Sequence, residues 1–477
     1  MKKLLCFLLC LSFLPCLSAC KEEDKPLPTY SINLTLGKDL TVSGSLEYTH
    51  TAFLDNEKDI TFNLYPNAFS ENATVSPLFE KDKTLAYPNG FSSGKIDVLA
   101  VKTGGKKASY EIVGTNSQFL KIFFEKPFKK GEEVSVYIEF KCYLPNVYHR
   151  YGYGEDTINL TGFYPIACVY ENGEYYQSVY YPAGDPFYSE CADYKVSLTV
   201  PSTFVVASSL SPVQTVWSGG ETEYLYEREC VRDIAFILSQ KYNVLKESVG
   251  GVDVAYYYYA DNQPENTLSV AVSALEYFSN KYFEYPYDTY VVAEGDFIYG
   301  GMEYPCLSLI SDSVGSYRDY TVVHETAHQW FYGIVGVNES EIGFLDEGLT
   351  EFSTALFMGE NGEKSYGEYI SEAKNSYGAI KGSLVYLGVT APPVMDRNLK
   401  DFSNELEYVM IAYNRSEIMV DSLRLYMGDK KFFKTLKGFV KDHAFENVTV
   451  KDFTKAFEKG KKGAGKLIED FVSGKTL

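Results

Sequence analysis

His324 and His328 stand four residues apart, with Glu325 between them, in Thr321-Val322-Val323-His324-Glu325-Thr326-Ala327-His328-Gln329-Trp330. A helix over 321–332 sets the two imidazoles one above the other on a single face. At that spacing they can share one metal ion, and Glu325 points beside them. A catalytic zinc site needs three protein ligands and one open position. Glu347, in Leu345-Asp346-Glu347-Gly348, is the third, with eighteen residues intervening after His328. Two neutral imidazoles, a carboxylate and a water suit the tetrahedral preference of zinc. Glu325 is then the general base, taking a proton from a metal-bound water that attacks a carbonyl and passing it to the leaving amine.

Histidine is scarce, five in 477 residues, so chance pairing at this spacing is a poor explanation. The spacing also discriminates among zinc peptidases. A metzincin has Gly and His at the places held here by Phe331 and Ile334, so its third ligand is absent and Glu347 takes the role. Asp346 and Glu351 flank it and could orient the ligands.

These residues resemble the gluzincin aminopeptidases of peptidase family M1, which include aminopeptidase N and leukotriene hydrolase. The resemblance rests on His324-Glu325-x-x-His328-Gln329-Trp330-Phe331, the eighteen-residue gap, and Leu345-Asp346-Glu347-Gly348-Leu349-Thr350-Glu351-Phe352. It rests also on Gly300-Gly301-Met302-Glu303, similar to the family's exopeptidase motif. The resemblance implies that Glu303 binds the free α-amine of a peptide while Gly300, Gly301 and Met302 align its backbone. It implies one zinc ion, and a tyrosine that stabilises the oxyanion. Tyr413, 66 residues beyond Glu347, fits that position, with Tyr408 five residues before it. For a second amine anchor from the β domain, Gln177 and Glu190 both remain open. Tyr304 departs from the family, which has Asn after the motif, so a contact to the substrate backbone is altered.

Those residues need a scaffold, and 477 residues provide material for two or three domains. Period-two alternation (Leu40, Val42, Gly44, Leu46, Tyr48; Val134, Val136, Ile138, Phe140; Tyr194, Val196, Leu198, Val200) predicts half-buried antiparallel strands. Residues 29–241 read as an antiparallel β-sandwich or saddle. Residues 242–477 switch to α+β, with a helical period at Leu268, Ala271, Val272, Leu275 and Phe278, a strand at 289–293, and helices near 363–382, 405–427 and 430–442. Thr449 reads as the N-cap of one more helix. The resemblance makes this second part a thermolysin-like catalytic domain.

Residues 1–19 read as a secretory signal of the bacterial lipoprotein type. Lys2 and Lys3 precede an apolar run, and Leu17-Ser18-Ala19 leads to Cys20, the expected lipidation site. Residues 20–28 are a charged tether, and the expected location is extracytoplasmic, held at the membrane. Of nine cysteines, the five beyond Cys20 (Cys142, Cys168, Cys191, Cys230, Cys306) are an odd number without a CxxC pair, which excludes a complete disulfide framework among them. A formal charge of −20 excludes nucleic acid as a partner, because phosphate binding needs a basic stripe. The expected substrate is a peptide with a free N-terminus. Two rival readings share the motif: a thermolysin-type endopeptidase and a non-catalytic peptide-binding lipoprotein.

Overall fold

A computed structural model describes residues 26–477. The expected signal and Cys20 lie outside the described residues.

The alternating segments are strands, and their apolar positions face one interior. In Glu133–Tyr143, Val134, Val136, Ile138 and Phe140 are all fully buried. The neighbouring strand Thr41–Thr51 turns Val42, Gly44, Leu46 and Tyr48 the same way. Gly44 is required by close approach, since a Cβ there would sit 2.3 Å from the Phe140 ring. Leu40 does not continue the alternation. It closes the turn after Gly37 at φ 57°, and the strand starts one residue later.

Eight strands form the largest sheet, in the order 211–218, 221–231, 192–201, 29–36, 41–51, 133–143, 95–103 and 106–107. One pair breaks the antiparallel rule: Thr29–Leu36 runs parallel to Ala192–Pro201. Two four-stranded sheets, one holding Thr157–Thr161 and Ala235–Ser239, the other Glu57–Asn63 and Phe119–Phe128, and a two-stranded hairpin of Tyr170–Glu171 with Glu174–Tyr175 complete this half. Buried aromatic rings link the sheets, such as Tyr48 of the large sheet edge-on to Phe62 of Glu57–Asn63 at 5.4 Å.

A five-stranded sheet begins at Asn243, in the order 243–249, 252–258, 289–295, 307–311 and 301–302. Its central pairings are parallel, and Gly301–Met302 closes one edge antiparallel to Leu307–Ser311. The helix Pro264–Lys281 buries Leu268, Ala271, Val272, Leu275 and Phe278, the face its sequence period marks. Helices 366–386, 416–427 and 429–442 follow, and Thr449 caps Val450–Gly460 through a capping box with Asp452. Among the described residues no helix is long and apolar enough to cross a membrane.

The two halves are joined by buried polar groups. Asp296 accepts from the backbone N–H of Asp156 and Thr157 at 2.7 and 2.8 Å. Arg232, 1% exposed, donates to the carbonyls of Tyr332 and Glu446 at 3.0 and 2.8 Å.

Candidate active site

The histidines sit at the end of the helix Arg318–Ala327, shorter than the span 321–332 that their spacing predicts. His328 is the cap residue, yet its φ of −60° and ψ of −18° are still helical, and its N–H donates to His324 O at 3.2 Å. The i, i+4 alignment therefore survives, with the Nε2 atoms 3.1 Å apart. Beyond it the chain turns sharply through Tyr332 at φ 112°.

Glu347 enters from the first turn of a second helix, Phe344–Asn361. Its Oε2 lies 3.4 Å from Nε2 of both histidines. The three ligand atoms fall within 4.8 Å of one another, and Glu347 Oε2 is buried without a hydrogen-bond partner. Two imidazole nitrogens and a carboxylate oxygen converging on one point fit a single zinc ion in chemistry and number. Burial alone would raise the Glu347 carboxyl, but the two imidazoles facing it hold it at about 2.

A further layer fixes these ligands. His328 Nδ1 meets the Phe331 carbonyl at 3.0 Å and Thr350 Oγ1 at 3.2 Å, which leaves Nε2 free to ligate. Glu351 lies 3.3 Å from His324 Nδ1 and accepts from the Tyr320 hydroxyl. Asp346 accepts from the Glu347 N–H at 2.9 Å. It steadies the ligand's backbone rather than a histidine. Thr350 and Tyr320 carry no sequence signal of their own; only the packing of the two helices brings them in.

Glu325 and Glu303 face the same cavity, both buried. Burial, with the Glu303 charge beside it, pushes the Glu325 carboxyl well above the usual carboxylate range. Gly301 is close against it: a Cβ there would lie 2.4 Å from Glu325 Oε1. Gln329 ties the motif strand to the histidine helix, accepting from Cys306 N at 2.7 Å and donating to Tyr304 O at 3.1 Å. Met302 is buried below, its sulfur 3.0 Å from Arg150 Nε.

Tyr413 lies on a π-helical segment, Val409–Arg415, where the sequence reads as continuous α-helix. Its ring stacks on His324 at 6.1 Å and 12°, and it lines the cavity. Burial and the Glu347 charge raise its hydroxyl pKa, keeping it a donor. Tyr408 packs edge-on against it at 5.9 Å.

The cavity, about 470 Å³, draws two β-domain charges that sequence reasoning missed, Arg150 and Asp185. They form a buried ion pair. Burial pushes the Asp185 carboxyl up to about 7 against the pull of Arg150. Gln177 and Glu190, the sequence candidates for a β-domain anchor, do not line the cavity, and Glu190 instead accepts from Asn447 at 3.2 Å. The turn signals in Pro182-Ala183-Gly184-Asp185-Pro186 announce a loop there but not its depth. Tyr304 turns away from the cavity, its hydroxyl 2.6 Å from Thr161 Oγ1 of the β domain.

Residues 266–474 match the model of the peptidase family M1 domain. The probable aminopeptidase 2 of Sulfurisphaera tokodaii is 23% identical over 413 residues, which cover 79% of this chain and 48% of that protein. Aminopeptidase M1-B of Oryza sativa subsp. japonica is 25% identical over 309 residues, 59% of this chain and 34% of its own length. The chain thus spans about half the length, or less, of these curated relatives. The crystal structure of an M1 zinc metallopeptidase from Deinococcus radiodurans superposes with a TM-score of 0.69 at 18% identity, covering 95% of this chain and 94% of the other. A mutant of that protein is known with a Tyr-Ser-Ala substrate bound. The histidine helix, Glu347, Glu303 and Tyr413 all fall inside the span that matches the peptidase family M1 model.

Proposed function

We propose that the protein is a zinc aminopeptidase that removes N-terminal residues from peptides, held outside the cytoplasm by lipid on Cys20. The observation that carries the reading is Glu303, a buried carboxylate opening into the same cavity as the three metal-ligand candidates and Glu325. A carboxylate there has one evident use, to hold a cation beside the reacting bond, and a peptide's terminal ammonium is that cation. The relatives named aminopeptidase and the neighbour with a bound tripeptide support it.

His324, His328 and Glu347 hold the zinc ion, which when bound supplies Lewis-acid polarisation and a water of lowered pKa. Glu303 accepts the substrate's ammonium and fixes how far the chain enters. Gly301–Met302 lies alongside as the edge strand of its sheet, the side on which an extended peptide can add. Glu325 receives the proton lost by the attacking water and delivers it to the departing amine. Its high pKa in the protein alone suits a group that must hold a proton. The Tyr413 hydroxyl donates to the carbonyl oxygen as charge develops on it.

The test compares a peptide bearing a free N-terminus with its N-acetylated twin, each with and without a zinc chelator. Hydrolysis of the free peptide alone, abolished by chelation, is the expected result. Equal cleavage of both peptides overturns the exopeptidase reading in favour of an endopeptidase. Cleavage of neither leaves a peptide-binding scaffold, and cleavage that survives chelation removes the metal.

A further inference from the structure

Residues 428–477 carry twelve lysines against seven acidic residues, in a chain whose formal charge is −20. The helices Val450–Gly460 and Ala464–Val472 bury Phe453, Phe457, Ile468 and Phe471 inward. Their outer faces bound a groove of about 460 Å³ lined by Lys451, Lys455, Lys462 and Lys466, with Glu458 and Glu469. All four lysines are exposed. Four ammonium groups there face two carboxylates, Glu458 and Glu469. Glu458 is engaged by the backbone N–H of Gly463 and Gly465 at 2.8 and 2.9 Å, and Asp470 pairs with Lys466 alone. Among the described residues no carboxylate forms an ion pair with Lys451, Lys455 or Lys462.

The groove's position gives it meaning. Pro28, where the described chain enters the fold, accepts a hydrogen bond from Asp193 N at 2.9 Å. Three residues away, Glu190 is bonded by Asn447 at 3.2 Å. Thr449 then caps the helix that carries Lys451 and Lys455. Three short links therefore connect the entry point to the groove. Residues 21–27 reach at most about 25 Å when fully extended, so whatever holds Cys20 lies near that end of the molecule.

We propose that this lysine groove rests on the anionic phospholipid surface to which Cys20 ties the chain, a proposal that builds on the anchoring reading above. Ammonium groups within a Debye length of lipid phosphates are attracted to them, about 8 Å at physiological salt. The acidic remainder of the protein is repelled by the same surface. Lipid fixes the distance; the groove selects one orientation out of those the tether allows.

The experiment takes the lipidated protein, purified from membranes, on phosphatidylcholine vesicles with or without phosphatidylglycerol. Lysine reactivity is read by amine labelling and mass spectrometry. Labelling of Lys451, Lys455 and Lys462 should slow severalfold on the anionic vesicles, and high salt should restore it. Lys38, at the far end of the strand that leaves Pro28, should not change. Equal labelling on both vesicles overturns the proposal, as does equal slowing at Lys38. The triple variant Lys451→Glu, Lys455→Glu, Lys462→Glu should lose the lipid dependence and keep its peptide hydrolysis in detergent; retained dependence also overturns it. Flotation with the neutral vesicles reads the lipid anchor separately. Should the protein fail to float there, the groove is judged by salt-sensitive binding to the anionic vesicles, and absence of that binding overturns it.

Discussion

Glu303 and Glu325 meet one cavity from different elements, and the surroundings of each divide their work. Glu325 stands one residue from a metal ligand, with its Oε2 buried and unpartnered. Replacing it with Gln keeps shape and removes the proposed base. Glu325→Gln should bind zinc with unchanged stoichiometry and lose about 10²–10⁴-fold in kcat, read by metal analysis beside steady-state kinetics; normal turnover would show that the proton goes elsewhere. These side chains were legible in the sequence because ligand identity and spacing are chemical requirements that leave little freedom. Arg150 and Asp185 were not legible. A charge becomes a cavity wall only when two distant segments pack together, and no local pattern records that. Tyr304 shows the converse. A departure from the family pattern that bears on substrate contact in the sequence serves, in the structure, to bind one domain to the other.

At the scale of elements, the edge strand and the histidine helix are fitted to each other without slack. A methyl group at Gly301 collides with Glu325 Oε1 at 2.4 Å. Gly301→Ala should therefore lower kcat while zinc content and folding remain near normal, measured by kinetics and by thermal unfolding. Full activity would show that the strand can shift aside. Strand positions came readily from period-two alternation, because one buried face imposes it. The histidine helix was overextended in the sequence reading. Its hydrophobic period runs on through Trp330 and Phe331, both buried, although the backbone has already left the helix. A second element-scale effect lies in the β domain. Burial raises the Asp233 carboxyl to about 7, although Tyr164 donates to it at 2.7 Å. Its unfolded value is about 3.9. The fold thus binds this proton more tightly than the unfolded chain, and the associated stability is full below about pH 4 and lost as pH rises through 7. Asp233→Asn should raise stability at pH 8 by a few kcal/mol, on the order of that shift, and by only about a third as much at pH 5, by denaturant titration at both pH values.

Across the whole molecule, the domains are held by buried polar groups that bond across the joint. Arg232 reaches from the β domain to the carbonyls of Tyr332 and Glu446 and to Asn447, and among the described residues no carboxylate is in ion-pair contact with it. Arg232→Met leaves those acceptors buried and unpaired, at a cost of about 3 kcal/mol. Chemical denaturation should then show a lower midpoint and a separation of the two domains' transitions; one unchanged transition would mean that apolar contacts alone couple them. Domain character was readable from the change of period near residue 242. The joint was not, since it depends on residues such as Arg232 and Asn447 that lie far apart in the chain.

The π-helical turn that carries Tyr413 has one further consequence. Such a turn holds one residue more than an α-helix would place there, and an α-helix advances about 100° per residue. The aim of the Tyr413 hydroxyl is therefore recorded in a residue count as well as in a side chain. Losing one residue from 409–415 would restore regular hydrogen bonding, favourable for the backbone, and would swing the phenol out of register with His324. For this segment, chain length helps to place the ring beside His324, and a deletion that improves the helix removes that placement.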